Sequence, residues 1–164
     1  MIDLKKIEAM IPLSKNIKKT VLLRTFSIAK WPLLFMTSPR VIELSEHNCR
    51  LLMPFRKIIK NHYGSVYFGA LAMGADACVG LLAFERIKAS GESVNFIFKS
   101  FQADFLKRAE GDTIFICNEG EQIEALIAEA IESGERVHRG IKGSATVNGE
   151  EVFRFTLELS LKRS

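Results

Sequence analysis

The clearest pattern in this chain lies near its C-terminal end. From Glu151 to Lys162, Phe153, Phe155, Leu157, Leu159 and Leu161 alternate with Arg154, Thr156, Glu158, Ser160 and Lys162. A period of two predicts a strand with one buried and one wet face, as antiparallel sheets have. Asn148 and Gly149 just before it are a hairpin signal, because both central residues of a type I′ turn need positive φ. The turn joins this strand to one over 136–147, where Gly140 and Gly143 predict bulges. Shorter runs follow the same logic. Residues 40–46 and 49–55 predict a hairpin around Glu46, His47 and Asn48. Residues 95–109 alternate at Phe96 and Phe98 and then break near Ser100. Residues 113–117 form a short apolar strand.

Three segments carry helical signals instead. Ile123, Leu126, Ile127, Ala130 and Ile131 recur at helical spacing over 120–133, with Gln122, Glu129 and Glu132 opposite and Gly134 as the stop. Residues 3–30 predict a helix in two pieces around Pro12, the second capped by Ser14. Ile17, Val21, Leu22, Phe26, Ile28 and Ala29 form its apolar face, and Lys15, Lys18, Lys19 and Arg24 its basic one. Such a helix either packs on the domain or lies on a lipid surface. The apolar run Trp31–Met36 behind it either lines a ligand tunnel or fills the core.

The third helix, about 67–87, differs from both. Gly69, Ala70, Ala72, Gly74, Ala75, Ala77, Gly80 and Ala83 make it small and apolar on every side, which predicts burial all round. Asp76 sits in its middle. Carboxylates are seldom buried unless paired or used. A polar loop feeds the helix, and the first N–H groups of a helix have no internal partner. A carboxylate and free N–H donors suggest acyl chemistry.

The 164 residues, 48% of them apolar, suit one domain over 1–164, with 1–39 as an N-terminal helical segment. The element order gives an α+β layout, a mostly antiparallel sheet around one central helix, with the 120–133 helix inserted between strands. The net charge of +4 is small and argues against nucleic acid as a partner. Cys49, Cys78 and Cys117 are scattered and lack metal-ligand spacing. They read as reduced thiols of a cytoplasmic protein, with no metal and no cofactor expected. Asp3, Lys5, Lys6 and Glu8 precede any apolar run, unlike a signal peptide. Arg24, Lys30 and Pro32 interrupt Val21–Met36, so it falls short of the ~20 apolar residues of a transmembrane span.

Residues 61–76 (NHYGSVYFGALAMGAD) carry a resemblance. They resemble the motif of hot-dog thioesterases of the phenylacetate-pathway type. That motif runs Asn, two residues, Gly, Ser or Thr, an apolar residue, His-Gly-Gly, six residues, Asp. Asn61, Gly64, Ser65, Val66, Gly69 and Asp76 match it in place. Tyr67 and Phe68 stand where the family has His and the first Gly. Residues 105–112 (FLKRAEGD) look like the strand and turn that close the family's binding groove. The likeness spans 40–118 and 136–162 in outline, nearest to an uncharacterised branch with an N-terminal helix. The 120–133 helix is longer than the family's turn there.

The resemblance implies a hot-dog fold, a curved antiparallel sheet wrapped around a long central helix. It also implies an acyl-CoA or acyl-carrier-protein thioesterase, working as a homodimer or dimer of dimers. Asp76 would be base or nucleophile. Asn61, from the facing subunit, would orient the water or carbonyl. The backbone of Phe68 and Gly69, beside Tyr67, would polarise the carbonyl, and Lys107 and Arg108 would meet the phosphates of coenzyme A. Each residue also has a plain reading: Asp76 in a structural salt bridge or hydrogen bond across a dimer interface, Asn61 shaping a turn, Tyr67 packing with its hydroxyl satisfied, Lys107 and Arg108 as surface charges, His62 solvated. A non-catalytic acyl or lipid binder is the second function, favoured by the Tyr67-Phe68 replacement and disfavoured by the retention of Asp76 and Asn61. A dehydratase would need a helix histidine that is absent here.

Overall fold

Two helices precede the sheet in the computed structural model, which describes residues 15–164. The first piece of the expected N-terminal helix, Pro12 and the Ser14 cap lie outside the described residues. Helix α1 (Lys15–Lys30) ends where Pro32 removes a backbone donor, and α2 (Pro32–Thr37) starts on that proline. Strands β1 (Arg40–Leu44) and β2 (Cys49–Met53) then form the expected hairpin. Ser45 Oγ accepts the N–H groups of His47 and Asn48 in its turn. A 3₁₀ turn (Lys57–Ile59) leads into the central helix α3 (Phe68–Ser90). After it come β3 (Val94–Phe105), β4 (Thr113–Cys117), α4 (Gly120–Ser133), β5 (Val137–Val147) and β6 (Glu150–Arg163).

The six strands form one antiparallel sheet in the order β1-β2-β4-β5-β6-β3. The alternation of β6 is realised: Phe153, Phe155, Leu157, Leu159 and Leu161 are all buried on the inner face. The hairpin before it turns on Asn148 (φ 51°) and Gly149 (φ 83°), the left-handed pair that the sequence calls for. The break near Ser100 is a bulge between Phe98 and Phe101. It shifts parity by one, so Phe96 and Phe98 before it and Phe101 and Phe105 after it keep one face. Phe101 and Phe105 accordingly meet Phe153, with ring centroids at 6.3 and 5.1 Å.

Gly140 and Gly143 do not form bulges. The irregularity in β5–β6 falls between Ala145 and Thr146. Gly143 serves packing instead, since a Cβ there would lie 2.3 Å from the ring of Phe155. Strand β3 stops at Phe105 rather than 109, where the N–H groups of Leu106 and Lys107 both turn to the Val152 carbonyl.

Both long helices after the hairpin lie on the inner face. Helix α4 buries Ile123, Leu126, Ile127 and Ala130 and abuts the β1–β2 turn through Gly120, whose N–H donates to the His47 carbonyl at 3.0 Å. Helix α3 is long and apolar enough to cross a bilayer, but here half of that stretch is packed inside the fold. Its closest approach to the sheet is at Gly74. A Cβ there would stand 2.2 Å from the fully buried ring of Phe115.

The sheet edges differ. Edge strand β1 is capped by α1: Asn16 Nδ2 donates to the Ile42 carbonyl (2.5 Å), Thr20 Oγ1 accepts the Val41 N–H (2.9 Å), and Lys19 Nζ donates to the Leu44 carbonyl (3.1 Å). Edge strand β3 has no such cover among the described residues, although Ile97, Phe101 and Phe105 are exposed on it.

Gly74→Ala should lower unfolding free energy by about 1–3 kcal/mol in a denaturant titration, because the ring of Phe115 has no room to yield. Gly80→Ala, with its nearest neighbour 3.9 Å away on Phe98, should raise stability by up to about 1 kcal/mol.

Candidate active site

Placing Gly74 on the sheet turns the far side of α3 outward. Two residues on, about 200° around the helix, Asp76 faces away from Phe115. The helix is therefore not buried all round, as its composition predicts. Phe68, Asp76 and Phe84 are exposed and Met73 half-buried along its open side. Asp76 opens into a cavity of about 270 Å³, walled by Lys30, Trp31, Pro32, Leu33, Leu34 and Met73. The apolar run after α1 is divided between the core and this cavity. Leu34 and Thr37 fill the core, while Trp31 and Leu33 line the cavity. Met73 was not singled out in the sequence, although its i−3 spacing from Asp76 on one helix face was the available signal.

The carboxylate is open to solvent on one side but surrounded by apolar atoms, and this burial pushes its pKa above the ordinary aspartate value. Among the described residues it meets no cation and no hydrogen-bond donor.

The second group of expected residues assembles at the start of α3. Asn61 Oδ1 accepts the N–H groups of Tyr63 (2.9 Å) and Ser65 (3.2 Å), and Nδ2 donates to Ser65 Oγ (3.0 Å). Asn61 thus builds the loop, with Gly64 at φ 81° completing the turn. The loop is pinned on both sides: the Val66 N–H reaches the Ala109 carbonyl (2.8 Å), and the Tyr67 N–H reaches Ile59 (2.7 Å). Tyr67 takes the N-cap position without a side-chain cap. The N–H groups of Phe68 and Gly69 consequently make no backbone hydrogen bond among the described residues. The Tyr67 ring folds over Gly69, 2.5 Å from where a Cβ would be, and packs on the Phe68 ring at 4.7 Å. Only glycine admits that ring position.

Arg108 joins this group, donating to the Tyr63 carbonyl (3.4 Å) and lying 5.7 Å from the Tyr63 ring centre. It also pairs with Glu110, and Lys107 pairs with Glu150, all on the surface. His62 is exposed against the Tyr63 ring.

Two half-sites result. Asp76 lies eight residues beyond Phe68, about 12 Å along the helix axis. One carbonyl cannot touch both the free N–H groups and the carboxylate of the same helix. The three cysteines are buried thiols away from either half-site. Burial pushes Cys117 up to about 12, and a hydrogen bond with Cys49 together with burial raises Cys78. Cys78 and Cys117 therefore stay protonated and unreactive at neutral pH.

Residues 19–159 match the family described as Domain of unknown function (DUF4442). The chain belongs to this family. Among solved structures, a Pseudomonas aeruginosa protein of unknown function, described as a probable thioesterase, is 27% identical. It superposes with TM-score 0.74 over 88% of this chain and 96% of its own. A protein of unknown function from Chlorobaculum tepidum gives TM-score 0.76 at 10% identity, covering 91% of this chain and 97% of its own. A thioesterase enzyme from Staphylococcus aureus gives TM-score 0.61 at 12% identity, covering 80% and 98%. These last two share the fold alone. No curated protein matches the sequence. The likenesses place DUF4442 among hot-dog, thioesterase-like proteins, as residues 61–76 imply.

The raised Asp76 pKa fixes a sign. A folded-state pKa above the unfolded one costs stability as pH rises from the ordinary aspartate value through the raised one. Asp76→Asn should therefore match the parent in acid and be the more stable protein at neutral pH. Thermal melts across that pH range check it.

Proposed function

We propose that the protein hydrolyses acyl thioesters, of coenzyme A or acyl-carrier protein, at a site shared by two copies. The observation that carries this reading is Asp76: a carboxylate without a hydrogen-bond partner among the described residues, its pKa raised by burial, lining a largely apolar cavity. Asp76 of one copy attacks the thioester carbonyl or takes a proton from an attacking water. The free N–H groups of Phe68 and Gly69 on the facing copy hold the developing oxyanion, each contributing about 3 kcal/mol. Asn61 acts by holding the loop that presents them, so it is a positioning residue. Arg108, fixed beside that loop, suits a phosphate of the carrier. The thiolate leaves and takes up a proton; where Asp76 is the nucleophile, water then cleaves the acyl–Asp76 anhydride, releasing the acid and restoring the carboxylate.

The pairing needs a second copy because the two half-sites on one chain are too far apart. The uncovered β3 edge, with Ile97, Phe101 and Phe105 exposed, supports a two-fold dimer. An apolar cavity walled by Trp31, Leu33 and Leu34 favours long acyl chains, at about 0.8 kcal/mol per buried CH₂.

The second reading is an acyl binder without activity. It is favoured by the Tyr67 ring folded over Gly69, where the oxyanion would sit.

Hydrolysis of short, medium, long and aromatic acyl-CoAs separates the two readings. The parent should prefer long chains, Asp76→Asn should lower kcat by about 10² or more, and Phe68→Gly should raise the rate on short chains. The rate should increase with pH as Asp76 ionises. Binding of long-chain acyl-CoA without turnover would favour the binder instead.

Light scattering should show a dimer at micromolar concentration. Ile97→Lys with Phe101→Lys should give a folded monomer without activity. A monomeric parent that remains active would remove the shared site.

A further inference from the structure

Charge is unevenly spread over this molecule. Residues 15–60 hold ten lysines and arginines against two carboxylates, Glu43 and Glu46. That is +8 in a chain whose total is +4, so the remainder is net acidic. The same stretch carries the densest exposed apolar group. Leu33 is 68% exposed, Ile28 58%, Ile58 54%, Trp31 48% and Met36 46%, with Phe35 beside them.

These residues lie on adjoining elements. The 3₁₀ turn bearing Ile58 sits against α2, and Arg56 Nη1 donates to Ser38 Oγ at 2.5 Å where α2 ends. Trp31 is held edge-on to Phe26 at 5.4 Å. Exposed cations border the group: Lys30 at its head, then Arg56, Lys57 and Lys60 on the turn. Lys60 lies over the Phe55 ring at 3.7 Å. Glu85, on α3, is already engaged with Lys19 at 3.2 Å. Asp76, itself exposed, lines the cavity that Trp31 and Leu33 border.

Exposed Trp, Leu, Phe and Met bordered by an excess of Lys and Arg match the boundary of an anionic bilayer. The apolar side chains enter the acyl region and the cations meet lipid phosphates. A protein partner would ask for a polar rim of mixed charge, which this surface lacks. We propose that α2 and the Lys57–Ile59 turn dock the protein on anionic lipid membranes. Trp31 and Leu33 also wall the Asp76 cavity, so docking brings that cavity next to the bilayer. A long-chain thioester can then enter from the lipid. That last step rests on the hydrolase reading; the docking does not.

Co-sedimentation with vesicles tests the docking on the full-length protein without acyl substrate. Phosphatidylcholine vesicles containing phosphatidylglycerol should pellet it, phosphatidylcholine alone should not, and raised salt should release it. Phe35→Glu with Met36→Glu, both exposed, should cut binding about tenfold or more, as should Lys57→Glu with Lys60→Glu. Light scattering and circular dichroism of the same variants check their assembly and fold. Absence of binding, or equal binding to both vesicle types, overturns the proposal. So does a pair of folded variants that bind vesicles like the parent but lose the dimer, which would make this face a seam between copies. Vesicle binding by a protein inactive on every thioester would keep the docking and sink the hydrolase reading.

Discussion

Everything distinctive about this molecule hangs on how closely α3 approaches the sheet. At Gly74 the helix backbone rests on the ring of Phe115, with no space for a single methyl group. That contact fixes the rotation of the helix about its own axis. Ala75, Cys78, Val79, Leu82 and Ala83 then fall inward and are buried, while Asp76 is carried to the open side. The carboxylate is thus placed by a packing constraint two residues away rather than by any hydrogen bond of its own. Its surroundings are apolar because α2, led in by Pro32, closes over that side of the helix.

The start of the same helix is set by different means. Asn61 spends its side chain on the loop, and Ile59 and Ala109 hold the loop ends. The result is a helix start presenting two unoccupied N–H groups under a tyrosine ring. Rigid packing orients the acid, and a hydrogen-bonded loop orients the donors. The two are tied to each other only through the helix between them.

Much of the architecture was legible in the sequence because it rests on local periodicity. The alternation of β6, the Asn148-Gly149 turn and the 120–133 helix depend on a few neighbouring residues, and each lies where its pattern puts it. Other features rest on contacts between distant residues. A helix built of Gly and Ala gives no apolar stripe to read, so the open side holding Asp76 was hidden. Gly140 and Gly143 look like bulge residues by type. Gly143 is in fact small to make room for Phe155, and the irregularity belongs to Ala145 and Thr146. Tyr67 and Phe68 could be seen as departures from the resembling motif. That the Tyr67 ring would fold back over Gly69 could not, because it depends on where the loop delivers the chain.

The helix laid along β1 has a consequence for how these molecules can associate. Sheets with two free edges behave like bifunctional monomers, able to add a neighbour on each side and grow into filaments. Here Asn16, Thr20 and Lys19 consume backbone groups of one edge. The sheet is left with a valence of one. Any strand-to-strand association through β3 is self-terminating, so the cap on β1 acts as a chain stopper for the apolar edge on the opposite side of the molecule.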